Sequence, residues 1–244
     1  MTDRRISIVL PVYRNRSCLP ELHRRLTDAL RPLAPQYELV FVDDAAGDGA
    51  VEWLRDCRAR DAHVELVEMP DNAGQHRAVL AGLRHSTGVA VVVMDADLQD
   101  PPEAIGSLLH AMDRTGGIVF ARRTGRHQSR GRHLTGRLFK RLLRRLSGSR
   151  IPAGTGMFFV APRPVIDAAV AAAGTAPYLP LLLEGTGAAM TAVDVVKSYR
   201  EDAPSAYTAR RRLQLAAHAI GQAIAQRRAR KTGSRATDLP ARER

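Results

Sequence analysis

The chain has 244 residues, enough to bury one sizeable α/β core, and 45% of them are apolar, an ordinary share for a globular domain. Two cysteines, Cys18 and Cys57, are too few and too far apart for a disulfide scaffold or a cysteine-rich metal site, and they suit a reducing compartment. The formal net charge of +12 is unevenly placed: from Arg114 to Ile166 there are 13 Arg or Lys and no acid, whereas the first hundred residues are rich in acids. That asymmetry points to an anionic surface partner, membrane phospholipid or nucleic acid. With aromatics at 5% and no stacking motif, nucleic acid is the poorer fit. Residues 1–5 run straight into a strand pattern, against a signal peptide. No run of about 18 apolar residues predicts a transmembrane helix.

In chain order, residues 5–12 (RISIVLPV) read as a first strand, ended by Pro11. Residues 19–33 have helical spacing through Leu19, Leu22, Leu26 and Leu30. Residues 38–42 (ELVFV) predict a second strand that runs into Asp43 and Asp44. A helix over 50–59 would turn Trp53 and Leu54 inward, and 64–68 predict a third strand. A loop at 71–74 precedes a helix over 75–87 that buries Val79, Leu80 and Leu83. Residues 88–94 predict a fourth strand. A helix over 102–114 opens with proline, tolerated in a first turn, and 117–121 predict a fifth strand. Strands alternating with helices predict a mostly parallel sheet with crossover helices.

The second half is different. A basic amphipathic helix is predicted over 132–146, with Leu134, Leu138, Leu142 and Leu146 in one stripe and arginines around it. A short strand over 157–160 follows a glycine-rich loop, then a helix over 165–173, an apolar segment 178–183 ending at Glu184, and an alternating strand over 190–198. A last amphipathic helix covers 207–229. The expected organisation is a main domain over 1–204, an amphipathic helix over 205–230 and a disordered basic tail over 231–244.

The most informative stretch is VAVVVMDADLQDPPE, residues 89–103. The apolar run reads as a buried strand, and Pro101 and Pro102 forbid its continuation. Asp95 and Asp97 therefore stand where a buried parallel strand meets a loop, the edge at which open α/β sheets bind ligands. Carboxylates spaced i, i+2 in an extended segment can converge on a hard divalent cation that also holds substrate phosphates. In VDDAAGDG, residues 42–49, adjacent acids at a strand end can hydrogen-bond a ribose or a base, or form an Asx-type turn before a helix. In NAGQH, residues 72–76, Gly74 permits close backbone approach; His76 is open between a site residue and a plain helix-start residue.

Taken together, PVY at 11–13, VDD at 42–44, NAGQHRA at 72–78 and MDADLQDPPE at 94–103 resemble the inverting GT-A glycosyltransferases of family 2. The resemblance is to the polyprenyl-phosphate branch: dolichol-phosphate mannose synthases, undecaprenyl-phosphate glucosyltransferases and the aminoarabinose-transferring relatives. It covers residues 5–220, in the same order. It implies a Rossmann-like, mostly parallel α/β sheet flanked by helices, and metal-dependent transfer of a sugar from a UDP- or GDP-sugar to a polyprenyl phosphate. Under it, Asp43, Asp44, Asn72 and Gln75 would hold the donor, with Pro11 and Tyr13 lining the base pocket. Asp95 would support the diphosphate site, and Asp97 and Gln99 would bind Mg2+ or Mn2+. Arg123, Arg126, Arg200, Ser205 and Tyr207 would face the acceptor phosphate.

The chain also departs from that pattern. Where the family has an acid in a GDYG-like loop, this sequence reads Ala153-Gly154-Thr155-Gly156. Ala203 and Ala206 replace the glycine and lysine of a GxSKY element, and Arg14-Asn15 follow PVY where Asn-Glu is usual. Most members of the branch continue into transmembrane helices, which this sequence does not contain. Glu184 is the acid of the second half placed to serve as a catalytic base, or it is an ordinary capping glutamate. The donor half thus keeps the pattern while the acceptor half diverges. A soluble enzyme glycosylating a small molecule, or a non-catalytic nucleotide-sugar or lipid-surface binder, are the alternatives. The basic helices suit a peripheral place at the cytoplasmic membrane face, or simple packing with solvated arginines. The last apolar stripe is also available to a homodimer contact.

Overall fold

The computed structural model describes residues 4–34, 36–124, 151–174 and 178–196. All of them belong to one compact unit formed by residues 1–126 and 151–203. The helices expected over 132–146 and 207–229, the basic tail, and Arg126, Arg200, Ser205 and Tyr207 lie outside the described residues.

Strands and helices alternate as the apolar pattern dictates. They run β1 (Ile6–Val12), α1 (Leu19–Leu30), β2 (Tyr37–Asp43), α2 (Ala50–Arg60), β3 (Val64–Glu68), α3 (Gln75–His85) and β4 (Ala90–Val93). A 3-10 turn at Pro102–Ala104 leads into α4 (Ile105–Thr115) and β5 (Ile118–Thr124). After the undescribed stretch come β6 (Thr155–Pro162), α5 (Arg163–Ala171), α6 (Leu179–Gly185) and β7 (Met190–Val196). The seven strands form one sheet in the order β3-β2-β1-β4-β6-β5-β7. The first four are mutually parallel and β7 is parallel to β5, whereas β6 runs antiparallel to both β4 and β5. The apolar segment at 178–183 becomes helix α6, with Pro180 in its first turn.

Both faces of the sheet are covered, which is why β1 and β4 read as continuous apolar runs. Alternate residues feed two cores. Ile6, Ile8 and Leu10 of β1 pack under α1, α2 and α4, where Leu22, Leu54 and Leu108 are fully buried. Val9, Val40 and Val42 pack under α3, α5 and α6 with Val79, Leu83, Ile166 and Leu183. Trp53, expected inward beside Leu54, is only partly buried against the first of these cores. At the N-terminal ends of the strands, the buried Glu38 accepts Ser7 Oγ and the Thr87 N–H, each at 2.6 Å, and so ties β1, β2 and the entry to β4 together.

Helix α3 lies hard against the sheet because residue 82 is glycine. A Cβ there would stand 2.5 Å from Val9 Cγ1 and 2.8 Å from Val42 Cγ2. Gly82→Ala is therefore expected to lower stability by about 1–3 kcal/mol, overpacking outweighing alanine's better helix propensity. Urea unfolding checks this: an unchanged midpoint would mean that α3 is free to shift outward.

Candidate active site

The register sets the geometry. Val12 of β1 pairs with Asp43 of β2, so these two strands end level, whereas β4 stops at Val93 opposite Val9, three residues earlier, and the chain beyond it runs on alongside Leu10–Val12. Two backbone bonds extend this edge: Asp44 N–H to Val12 O at 3.0 Å and Met94 N–H to Val9 O at 3.2 Å. Pro11, Asp43 and Asp95 are thereby brought side by side, as acids at the ends of the second and fourth strands predicted. Tyr13, half-buried, follows in the first loop, its ring 5.2 Å from the Arg14 guanidinium carbon.

Each of the three loops leaving this edge carries a non-glycine residue with positive φ: Arg14 (59°), Ala45 (52°) and Leu98 (61°). No other described non-glycine residue does so. Such residues cost on the order of 1 kcal/mol each and persist only where their surroundings over-determine the backbone, which is characteristic of binding edges. Arg, Ala and Leu carry no sequence signal for that conformation.

Asp43 and Asp44 have separate environments. Asp44 is buried and accepts the Ala73 N–H at 2.7 Å and the Gly74 N–H at 2.9 Å, while the Asn72 amide donates to its backbone oxygen at 3.0 Å. It pins the 72–74 loop to the end of β2, and Gly74, at φ 90°, makes the turn into α3. Asp43 is equally buried. Its Oδ2 accepts the Ala45 N–H at 3.0 Å, and its Oδ1 has no partner among the described residues. Burial pushes the Asp43 carboxyl up. Asp48 accepts the Arg16 and Ala50 N–H groups at 3.1 and 3.2 Å, joining the first loop to the start of α2.

The second cluster surrounds the DADLQD segment. Gln75, the first residue of α3, donates its side-chain amide to Asp95 Oδ1. Asp97 Oδ1 accepts the Gln99 N–H at 3.0 Å. Asp100, 1% exposed, accepts both arms of the Arg123 fork, Nε at 2.9 Å and a terminal nitrogen at 2.8 Å. That same nitrogen lies 3.7 Å from Asp95 Oδ2. Two carboxylates thus share one guanidinium, with the charge of Asp97 close by. Burial, then the charges of Asp97 and Asp100, push the Asp95 carboxyl up from its ordinary 3.8 to about 7, with Arg123 and Gln75 opposing. Asp100 was not singled out from sequence, although it is the third acid of the same segment.

Behind Gln75, the His76 ring meets Tyr178 edge-on at 4.9 Å. Burial pushes His76 down to about 4, so it is neutral near pH 7, and its Nδ1 is buried without a partner among the described residues. Glu184 of α6 is buried too, accepting the Ile151 N–H at 3.3 Å. Burial, then the charge of Glu184, push the Tyr178 hydroxyl up.

Asp97 and Gln99 supply oxygen donors, the hard type that suits Mg2+ or Mn2+. Among the described residues, no three His, Cys, Asp or Glu side chains form a self-contained cage. A cation here fits only with further oxygens from a bound phosphate, and the excess of carboxylates over the one Arg123 guanidinium favours one. The Asp95 shift has a measurable sign. Between about pH 4 and about pH 7 the folded protein holds a proton that the unfolded chain has lost, so this stabilisation is complete below about pH 4 and lost as pH rises through about 7. The metal-free protein is expected to melt lower at about pH 8 than at about pH 5, and added Mn2+ to raise the melting temperature more at the higher pH. Thermal melts check this; the reverse order would remove Asp95 from the cation's surroundings.

The architecture is that of the GT-A glycosyltransferases. Mannosyl-3-phosphoglycerate synthase from Rubrobacter xylanophilus superposes with a TM-score of 0.61 at 21% identity, over 98% of this chain and 77% of that one. Glucosyl-3-phosphoglycerate synthase from Mycobacterium tuberculosis, solved with Mn2+, UDP and phosphoglyceric acid, also gives 0.61, at 20% identity over 91% and 76%. The chain belongs to glycosyl transferase family 2, whose family model matches residues 7–168. It is 35% identical over 211 residues to the undecaprenyl-phosphate 4-deoxy-4-formamido-L-arabinose transferase of Pseudomonas fluorescens, spanning 86% of this chain and 62% of that relative's length.

Proposed function

We propose that this protein transfers a sugar from a UDP- or GDP-sugar to a polyprenyl phosphate, with a divalent cation and inversion at the anomeric carbon. The observation that carries this reading is the convergence of Asp43, Asp95 and Asp97 on one edge of a parallel sheet. The relative at 35% identity, which by its name acts on undecaprenyl phosphate, supports the acceptor class. The M. tuberculosis neighbour, with Mn2+ and UDP bound, supports the donor and the cation.

In this reading Pro11 and Tyr13 line the base pocket, and Asp43 Oδ1, which has no partner among the described residues, accepts an N–H or hydroxyl of the nucleoside. Asp44 and Asn72 act one step back, holding the Gly74 loop where its backbone can approach the donor. Gln75 orients Asp95. Asp97 and Gln99 would hold Mg2+ or Mn2+, which when bound offsets the charge of the diphosphate leaving group. Arg123 would face the acceptor phosphate; Arg126, Arg200, Ser205 and Tyr207, expected there from the resemblance, lie outside the described residues. A phosphate oxygen attacks the anomeric carbon as the bond to the diphosphate breaks. A phosphate monoester is already mostly ionised near pH 7, so no protein base is required, and Glu184, buried against Ile151, serves the fold instead. Positioning and charge neutralisation supply the rate.

Among the described residues no helix is long and apolar enough to cross a membrane. The +12 charge suits a peripheral station at the anionic inner face, where a lipid phosphate would be met. The test is incubation with Mn2+ and a panel of UDP- and GDP-sugars, with and without a short-chain polyprenyl phosphate, read by mass spectrometry. A glycosyl phospholipid is the expected product. Donor hydrolysis without it would reassign the acceptor, and no turnover with any donor would leave a nucleotide-sugar binder.

A further inference from the structure

We infer that Asp100 is a positioning residue: it holds the Arg123 guanidinium away from Asp95 and so keeps the Asp95–Asp97 loop open to a divalent cation. The inference rests on the metal-dependent reading above and adds a role that the loop's other acids do not have.

The geometry is a competition for one cation. A single terminal nitrogen of Arg123 stands between two carboxylates, 2.8 Å from Asp100 Oδ2 and 3.7 Å from Asp95 Oδ2. It is hydrogen-bonded to the first only. Asp100 wins because it engages the fork at two points, with Nε on its other oxygen at 2.9 Å, and bidentate pairing fixes the guanidinium plane. The Asp100 side chain is 2% exposed and that of Asp95 25%, so the better-buried acid keeps the guanidinium while the more accessible one faces the edge. Gly156 of β6 backs the arrangement: a Cβ there would lie 3.4 Å from the guanidinium carbon and from that same nitrogen. Glycine therefore leaves room for the fork to lie flat over β6. Without Asp100, the other carboxylate in reach is Asp95, whose Oδ2 is less than 1 Å beyond hydrogen-bonding range of the present position. Arg123 would swing onto Asp95 and oppose a second cation there by charge and by occupancy.

The test is Mn2+ binding itself, measured by the electron paramagnetic resonance of free Mn2+, with thermal melting as the folding control. Four proteins are compared: wild type, Asp97→Ala, Asp100→Asn and the double variant Asp100→Asn/Arg123→Gln. Wild type should bind Mn2+ and Asp97→Ala should not; failure of that pair overturns the metal-site reading and this inference with it. Asp100→Asn should bind Mn2+ roughly tenfold more weakly, since a guanidinium brought against the site costs at least that much in a partly buried setting. The double variant removes the intruding cation and should recover wild-type affinity or better. A purely structural Asp100 predicts otherwise: the double variant would bind no better than the single one, and that result overturns the inference. Undiminished binding by folded Asp100→Asn overturns it as well. If Asp100→Asn alone fails to fold, the double variant decides. Having lost the buried Asp100 charge and its half-buried partner together it leaves neither unpaired, and weaker binding by it than by wild type counts against the proposal.

Discussion

Asp97→Ala is expected to lose roughly 100-fold or more of Mn2+-stimulated turnover while melting no lower than wild type. The two halves of that expectation have different causes. Asp97 is half-exposed, and the bond it makes is a local one, to the Gln99 N–H two residues on. Its charge is the largest electrostatic contribution raising Asp95, after burial. Removing it relieves a repulsion and leaves no buried donor orphaned, so stability is kept or slightly improved. Turnover falls because the loop then lacks the carboxylate placed to hold the cation at the leaving group. Activity assays with saturating Mn2+ and a melt on the same preparation separate these effects. Activity that is unchanged with Mn2+ would refute the assignment of Asp97. Loss of activity with a collapsed melting temperature would show the residue to be structural.

The strand ends were legible in the sequence because a buried parallel strand must stop abruptly. Residues 89–94 are apolar, and Pro101 and Pro102 close the segment, so the position of Asp95 and Asp97 at the edge followed from burial alone. Direction was less legible. The antiparallel course of β6 depends on how the chain returns after β5, and a strand of alternating or apolar character reads the same in either sense. The 178–183 segment was ambiguous for a related reason: a short apolar run fits a buried strand or a buried helix, and Pro180 supports the helix only once the first turn is known to start at Leu179. At the site, residue types were legible and partners were not. Asp43 and Asp44 look alike in sequence, yet one has an oxygen without a partner among the described residues and the other accepts from a loop 28 or more residues away. Arg123, expected at the acceptor phosphate, has two of its three nitrogens on Asp100, a partner that its sequence position does not name. These outcomes depend on contacts between distant segments, which local pattern does not encode. The left-handed residues Arg14, Ala45 and Leu98 escaped for the same reason, since tertiary contacts impose a conformation that their side chains disfavour.

The division of labour between the paired acids yields the other large effect. Asp44→Ala is expected to destabilise the protein by about 2–4 kcal/mol, because it leaves the part-buried Ala73 and Gly74 N–H groups without their acceptor, at about 1–2 kcal/mol each. The damage should spread to nucleotide binding, since the same loop leads into α3 and carries Gln75 to Asp95. Asp43→Asn should behave oppositely. The substitution keeps the side-chain shape, removes a carboxyl that burial already disfavours in its charged form, and retains an oxygen for the Ala45 N–H. Its stability should match or exceed that of wild type, while affinity for UDP or GDP falls, because the buried Oδ1, without a partner among the described residues, is the acceptor being lost. Denaturant unfolding together with nucleotide titration of both variants reads the contrast. If Asp43→Asn binds both nucleotides as wild type does, Asp43 is a turn residue like its neighbour. If Asp44→Ala keeps full stability, the loop is held by something other than the Asp44 carboxylate, and the case for its indirect role falls.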